Sequence, residues 1–369
     1  MQQFWIFLLA FIWAGIPAHA FEPAPLKCSQ PLFDGRKKYN EEISGIKCFS
    51  ENEKQYSCYI IADEKKGLQQ ISISKTGPST YDCQPGPVLA KKRGLSCLKG
   101  KKPERDFEAI ASDGKQLFIT GSWGNRRKKH LGKAPERWVF LRQKRTKTGR
   151  LTGNCQALKR KHLKSFIINT TPSLRPFIDK PLQCGGLNIE GLAYQNDRLF
   201  FGLRSPGLIY RGTGLIIEAS ARGIFTNQPQ ARLHKVKFSI NGKPQKGIGI
   251  RALESLDDGQ LLIATGPGGV SMENLSQKGR HRIATSCNSQ AGSFYNNKVF
   301  SQPAALWLWT PAIGVAKYLG KISGAYQNHK LEGIAVLAHS KTRLDLVLTF
   351  DGVDNSNRSP LATLSIALD

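Results

Sequence analysis

One short pattern, apolar–Glu–small–apolar, recurs along this chain at a spacing that few architectures accommodate. It reads Phe107-Glu108-Ala109-Ile110, Ile189-Glu190-Gly191-Leu192, Leu253-Glu254-Ser255-Leu256 and Leu331-Glu332-Gly333-Ile334. A fifth copy, Ile43-Ser44-Gly45-Ile46, has Ser in place of Glu. Behind each copy come a turn and a strand-like run: Cys58 to Ala62, Leu117 to Thr120, Leu199 to Leu203, Leu261 to Thr265 and Leu344 to Phe350. The turns carry Asp113-Gly114, Asn196-Asp197 and Asp258-Gly259, residues that short hairpins need. Each unit therefore opens with a β-hairpin, and further strand candidates follow, such as Trp138 to Arg142, Leu215 to Ala219 and Ala304 to Trp309.

Counted at Ser44, Glu108, Glu190, Glu254 and Glu332, the copies stand 64, 82, 64 and 78 residues apart. A four-stranded propeller blade takes about 40–50 residues, so the longer intervals hide no additional blade. The stretch after Glu332 holds about three strands and ends in Leu361 to Leu368, which leaves one strand to come from the segment before Ser44. Sharing a blade between the two ends closes the ring and protects the sheet edges. The expected fold is all-β: a five-bladed β-propeller closed by an N-terminal strand, with six blades as the alternative. Few segments keep a 3.6-residue period for three turns, so long helices are not expected.

Phe4 to Ile16 is an apolar run of 13 residues, shorter than the roughly 20 that span a bilayer. Pro17 and the small-x-small triplet Ala18-His19-Ala20 follow, the pattern of a signal peptide cleaved after Ala20, although Met1-Gln2-Gln3 carries no Lys or Arg. The expected organisation is a signal peptide, 1–20, and a single propeller domain, 21–369, without a transmembrane segment. That places the mature chain, expected as a monomer, in the periplasm or outside the cell. Its eight cysteines are an even number, which in an exported protein favours disulfides, and no Cys-x-x-Cys spells a zinc ribbon or redox site. Pairing sequence neighbours gives Cys48–Cys58 across a hairpin, Cys83–Cys97, Cys155–Cys184 and, last, Cys28 with Cys287.

Lys and Arg outnumber Asp and Glu by 54 to 27, a net charge of +27, which suits an anionic partner. Between Lys91 and Lys164 there are 23 Lys or Arg against 5 Asp or Glu, concentrated in Lys91-Lys92-Arg93, Arg126-Arg127-Lys128-Lys129, Arg142 to Arg150 and Lys159-Arg160-Lys161. This sector is either a solvated face or a docking patch for a polyanion. Only Trp123 and Trp138 interrupt it as tryptophans, too few stacking platforms for a dedicated single-strand binder, and no specific nucleic-acid motif occurs.

In a propeller blade the first strand is innermost and the second returns beside it. The start of the first and the end of the second therefore share one face. That places Ser44, Glu108, Glu190, Glu254 and Glu332 around one mouth of the central channel, with Asp63, Ser122, Arg204, Thr265 and Asp351 beside them. Carboxylates converging there must be protonated, paired with cations such as Arg204, or bound to a metal. An all-oxygen set suits calcium. The other reading is that each Glu caps backbone amides at its blade junction. His329, three residues before Glu332, is either a general base at the mouth or an ordinary loop histidine. No Gly-x-Ser-x-Gly elbow, His-Glu-x-x-His helix or phosphate loop ending in Gly-Lys-Ser/Thr occurs.

The Glu190-to-Ala193 and Glu332-to-Ala335 starts, with the Leu-Glu-Ser-Leu unit, resemble an exported bacterial β-propeller family of uncharacterised function, itself similar to the esterase-like phytase and gluconolactonase-type propellers. Ser44 with four glutamates is similar to the axial calcium site of the five-bladed, calcium-dependent apyrases. In these relatives the metal would polarise a phosphoryl or acyl oxygen, and the expected function here is metal-dependent hydrolysis of a small anionic ester, phosphoanhydride or lactone. Ser44, Glu108, Glu190, Glu254 and Glu332 would hold calcium, Arg204 and Ser122 would bind substrate, and Asp63 or Asp351 would position water. The alternative is a non-catalytic module that binds an anionic envelope polymer through its basic sector.

Overall fold

The computed structural model describes residues 19–33, 42–63, 67–89, 95, 97, 105–125, 134–180, 182, 185–208, 212–226, 228, 230–268, 303–351, 353 and 359–368. The chain enters through two short strands, β1 (Ala20–Phe21) and β2 (Ala24–Pro25). The first unit is the antiparallel meander β3 (Ile43–Asn52), β4 (Gln55–Ala62), β5 (Gly67–Lys75) and β6 (Tyr81–Val88). The second is β7 (Phe107–Ser112), β8 (Gln116–Gly121), β9 (Val139–Arg145) and β10 (Leu151–Lys159). The third is β11 (Asn188–Gln195), β12 (Arg198–Leu208), β13 (Thr213–Ser220) and β14 (Ala231–Ile240), whose end folds back on β15 (Lys243–Pro244). The fourth is β16 (Ile248–Ser255), β17 (Leu261–Pro267), β18 (Ala305–Trp309) and β19 (Val315–Ile322). A short parallel bridge, Lys237 and Phe238 of β14 on Val315 and Ala316 of β19, joins the third and fourth into one sheet. The last unit is β20 (Lys330–His339), β21 (Arg343–Asp351) and β22 (Leu361–Ala367).

The strand that the last unit lacks is β2, antiparallel to β22 through Ala24–Thr363 and Pro25–Ala362. The first strands of the units are neighbours: β3 lies against β7, β7 against β11, β11 against β16, β16 against β20, and β20 against β3. The architecture is all-β and propeller-like. Its core is a series of apolar layers between successive sheets. Ile61 and Leu68 meet Phe107 and Leu141; Phe118 and Phe140 meet Phe201 and Leu215; Ile216 and Phe238 meet Ile263 and Trp307. Further round, Leu262 and Leu306 meet Leu346 and Leu348, and Leu337 and Val347 return to Ile46 and Cys58. Second strands such as β4 and β17 are buried on both faces, and so read as continuous apolar runs rather than alternating ones. The hairpin turns use the backbone that their residues permit: Asn196 and Asp197 both have positive φ, 49° and 59°.

Two features depart from the sequence expectations. One is a helix, α1 (Arg160–Thr170), which follows β10 and seats Leu163, Phe166 and Ile167 on the layer between the second and third units. Its apolar stripe at 163, 166 and 167 is the amphipathic spacing itself, over a segment dominated by its basic residues. The other is disulfide connectivity. Cys48–Cys58 forms across the β3–β4 hairpin as expected. Cys83, however, pairs with Cys28 rather than Cys97, and Cys97 pairs with Cys155. The entering segment runs beside β6, where Ser29 donates its N–H to the Cys83 carbonyl at 2.9 Å, so Cys28 is the spatial neighbour. With Cys28 and Cys155 so engaged, the expected Cys28–Cys287 and Cys155–Cys184 pairs do not form. Cys184 and Cys287 themselves lie outside the described residues, as do Lys91-Lys92-Arg93 and Arg126 to Lys129.

A buried carboxylate ties the last unit to the first. Asp345 on β21 accepts from Arg343 Nε at 2.7 Å and Ser365 Oγ at 2.6 Å in its own unit. It also accepts from Tyr81 Oη at 3.1 Å and Lys75 Nζ at 3.3 Å in the first. Burial pushes its pKa up, but the hydrogen bonds from Arg343 and Ser365 and the Arg343 charge outweigh it and hold the carboxyl below its ordinary value. A depressed folded-state pKa stabilises above the unfolded value of about 3.9, and that contribution is lost as pH falls through the folded value. Asp345→Asn is therefore expected to cost about 1.5–3 kcal/mol at pH 7, the range for hydrogen bonds to a charged group. Urea titrations at pH 7 and pH 3 should show the gap to wild type closing in acid; a gap of equal size at both would contradict this reading.

Candidate functional site

On each of the five first strands the pairing skips one residue near the start. Ile43 and Gly45 pair with Ala62 and Ile61, which leaves Ser44 out. In the same way Glu108, Glu190, Arg251 and Glu332 are omitted from their ladders. A bulged residue leaves the strand register and is re-aimed, a device common beside functional sites. Because these strands are neighbours in space, Ser44, Glu108, Glu190 and Glu332 border one pocket, and Arg251 reaches their group by its hydrogen bonds. Arg251 Nη1 donates to Glu190 Oε2 at 2.6 Å and to Glu332 Oε1 at 3.1 Å, drawing three units together.

In the fourth unit this corrects the motif register by three residues. The equivalent of Ile189-Glu190-Gly191-Leu192 is Ile250-Arg251-Ala252-Leu253, with arginine in place of glutamate. Glu254 does not join the convergence; it lies one strand turn further on, bound to Lys47 Nζ at 2.5 Å and to the Ser255 amide at 2.9 Å. Leu253-Glu254-Ser255-Leu256 matched the string locally without the bulge. The second strand shows the same substitution logic. After Ala62, Gly121, Leu203 and Phe350 come Asp63, Ser122, Arg204 and Asp351, whereas after Thr265 comes Gly266. A Cβ on Gly266 would stand 3.1 Å from Arg251 Cγ, so the glycine makes room for the long side chain. Thr265, the expected mouth residue, instead points into the core, where its hydroxyl accepts from Trp307 Nε1 at 2.9 Å. The glycine beside Glu332 has a packing reason: a Cβ on Gly333 would meet Gly45 Cα at 2.9 Å, where β20 closes on β3.

The mouth is a pocket of about 60 Å³ bordered by Ser44, Asp63, Glu108, Glu190, Glu332 and Asp351, with Arg204 and Lys330 among them. Oxygens of Glu108, Glu190 and Glu332, all buried, lie within 4.8 Å of one another. Glu190 is clamped, with Arg204 Nη1 at 2.7 Å on one oxygen and Arg251 on the other. Lys330 holds Asp351 at 2.5 Å. The Ser44 hydroxyl donates to the Phe107 carbonyl at 2.5 Å. Ser122 does not reach the pocket: it is fully buried and hydrogen-bonds the Asp106 carboxylate, which Arg137 Nη1 also approaches at 3.1 Å. Asp106 adopts φ +52°, an uncommon conformation for a non-glycine residue, fixed by its amide on the Asp63 carbonyl and by the Ser122 amide on its own carbonyl. His329 packs its ring against Tyr326, with centroids 6.2 Å apart, and is not among the residues that border the pocket.

The electrostatics follow from crowding. Burial, then the charges of Asp106, Glu42, Asp351 and Glu332, push the Asp63 carboxyl up to about 8. Burial and the neighbouring Asp106, Glu190 and Glu332 push Glu108 well above the ordinary carboxylate range. Burial also raises Glu332, although Arg251 opposes it. Arg251 is itself held firmly protonated: burial works against its charge, but Glu190 and Glu332 outweigh it. The raised Asp63 and Glu108 carboxyls, crowded by these charges, are the groups at the mouth that favour a proton or a bound cation. Asp63 Oδ1 is buried and has no hydrogen-bond partner among the described residues.

Residues 135–363, more than half of the chain, match the family described as "Protein of unknown function (DUF3616)". No curated protein matches the chain in sequence. Among solved structures it is similar to a GH43 β-1,3-galactosidase, at 11% identity and TM-score 0.42, covering 93% of this chain and 94% of that one. It is also similar to an exo-β-1,3-galactanase from Phanerochaete chrysosporium, at 9% identity and TM-score 0.42, covering 94% and 64%. A third is a GH43 enzyme from Xanthomonas citri, at 10% identity and TM-score 0.40, covering 94% and 90%.

Proposed function

The chain belongs to the DUF3616 family, whose function is unknown, and we propose that its channel mouth is the active site of a calcium-dependent hydrolase carried on a five-bladed propeller. The observation that carries this reading is the approach of three buried carboxylates, Glu108, Glu190 and Glu332, to within 4.8 Å at the base of an accessible pocket. Calcium accepts oxygen-only sets with flexible geometry, and waters would complete three carboxylates. The Asp63 oxygen that lacks a partner among the described residues lies beside the same carboxylates. When bound, the metal would polarise a phosphoryl or acyl oxygen. Lys330 and Arg204 would receive the substrate's negative charge. Asp63 or Asp351, beside the same pocket, would position the attacking water. The substrate class is a small anionic ester, phosphoanhydride or lactone. Three disulfides fit an oxidising compartment, periplasmic or extracellular, for a mature monomeric domain, 21–369, exported behind signal peptide 1–20.

Calcium at a hundredfold excess over its Kd should stabilise the native protein by about 2.7 kcal/mol. Melting should therefore occur at a higher temperature in calcium than in chelator, and Glu108→Gln with Glu332→Gln should abolish the difference. Hydrolysis of the substrate class should stop in chelator. Equal melting of the wild type in chelator and in several millimolar calcium would remove the metal and, with it, this mechanism.

A further inference from the structure

At the far end of the first strands from the mouth, a second pocket opens between the second and third units. Its volume is about 270 Å³, and its borders are Asp113, Gln116, Phe118, Arg142, Asp197 and Arg222, with Ala221 at the back. The hairpin turns place the two acids, and they differ in availability. Asp113 is engaged by its own turn: its carboxylate accepts from the amides of Lys115 at 2.8 Å and Gln116 at 2.6 Å, and from Gln116 Nε2 at 3.0 Å. Asp197 is exposed at the tip of the β11–β12 turn.

The two arginines differ as well. Arg142, on β9, places its guanidinium carbon 4.4 Å from the Phe225 ring centroid, and its Nε donates to Gln156 Oε1 at 2.6 Å, two contacts that hold the group in place. Arg222, from the turn after β13, borders the same pocket; burial and then its charge lower the Arg142 pKa, against the opposing charge of Asp113. Among the described residues no carboxylate forms an ion pair with either guanidinium. Two like charges facing one pocket are relieved by an anion between them, and the arginine fork matches a carboxylate. Lys144 continues the basic row along the same face of β9, two residues on.

We propose that this crevice is a docking site for an acidic polysaccharide, with Arg142 and Arg222 holding a carboxylate of one sugar unit, Asp197 accepting its hydroxyls, and Lys144 meeting the next charged unit. Charge complementarity selects a polyanion, and the pocket chemistry selects a sugar over a nucleic acid. A base would need an exposed aromatic face. Here Phe118 is 2% exposed, Trp123 and Trp138 are at 0% and 1%, and Phe225 lies under Arg142. Hydroxyl groups, in contrast, find an exposed carboxylate in Asp197. The site is distinct from the mouth and does not rest on a metal there.

The decisive variant is Asp197→Asn, because its two readings have opposite signs. Asn accepts positive φ, so the turn is preserved. If Asp197 reads sugar hydroxyls, its loss should weaken binding of an oligogalacturonate; if only net charge matters, removing a negative charge should tighten it. Titration calorimetry should give about tenfold weaker binding for Asp197→Asn, and at least that for Arg142→Gln with Arg222→Gln, since each lost strong contact is worth about a factor of ten. Lys159→Gln with Lys161→Gln, exposed at the start of α1, should leave affinity within about twofold. Oligothymidylate of equal charge should bind more weakly than the saccharide. Tighter binding by Asp197→Asn, no loss in the arginine double variant, or equal binding of oligothymidylate would each overturn the proposal.

Discussion

Arg251→Ala is expected to be the most damaging single substitution at the channel mouth, costing about 3–5 kcal/mol of folding stability. Arg251 is 2% exposed and holds Glu190 at 2.6 Å, Glu332 at 3.1 Å and the Pro267 carbonyl at 2.9 Å. Deleting it takes the arginine from Glu332 and leaves Glu190 with Arg204 on one oxygen only, across a space that Gly266 had kept open. The magnitude reflects the uncompensated charges left behind rather than the strength of a pair. A compensated change is therefore expected to be milder: Arg251→Met with Glu332→Gln removes one charge of each sign and should recover a substantial part of the loss. Urea denaturation of the three proteins checks this. A single variant within 1 kcal/mol of wild type would mean that the mouth tolerates the exposed carboxylates and that Arg251 is not its counter-charge. The same substitution sharpens the calcium proposal. With the built-in cation gone, calcium should stabilise Arg251→Ala more than it stabilises the wild type.

The unit structure was legible because it is written locally. Hairpin turns favour Asn, Asp and Gly, and second strands buried on both faces demand apolar runs; the runs recur in every unit and the turn residues in the second, third and fourth. The completion of the last unit by an N-terminal strand followed from counting strands. What was illegible depended on register. Ser44, Glu108, Glu190 and Glu332 sit at β-bulges, and a bulge is a property of two paired strands, not of one string. In the fourth unit Leu253-Glu254-Ser255-Leu256 satisfied the string while Ile250-Arg251-Ala252-Leu253 satisfied the geometry. Relaxing the pattern from Glu to any charged residue would have exposed both candidates, and Gly266 on the returning strand would have chosen between them. Ser122 was placed at the correct strand end, but the left-handed turn at Asp106 brings a carboxylate to its hydroxyl and draws it inward. No periodicity foretells that turn.

Cys48–Cys58 was legible as a hairpin pair, but the pairing of Cys83 and Cys97 was not, for a related reason, and it identifies how the entering segment is held. Proximity in sequence selected Cys83–Cys97, whereas proximity in space is set by where the entering segment lies. That segment touches three units in succession. Phe21 fits against Gly320 and gives its carbonyl to the Ser323 amide at 2.7 Å. Leu26 pairs with Leu361 at 2.9 Å and receives the Ser359 hydroxyl at 2.5 Å. Cys28 is bonded to Cys83, and the Phe33 amide donates to Gln69 at 2.6 Å. The Cys28–Cys83 bond spans 55 residues and the Cys48–Cys58 bond only 10. Loop-closure entropy assigns about 4 kcal/mol to the first and about 2.7 kcal/mol to the second. Cys28→Ser with Cys83→Ser is therefore expected to destabilise more than Cys48→Ser with Cys58→Ser, although the latter bond is the more deeply placed in a sheet. Its loss should also free the first segment before global unfolding, because β1 and β2 are only two residues long and a strand that short holds little by itself. Limited proteolysis under native conditions should cut the Cys28/Cys83 variant ahead of Ile43 and spare the Cys48/Cys58 variant. Equal stability loss in the two variants, with no early cleavage in either, would show that hydrogen bonds and packing hold the entering segment without the covalent bond.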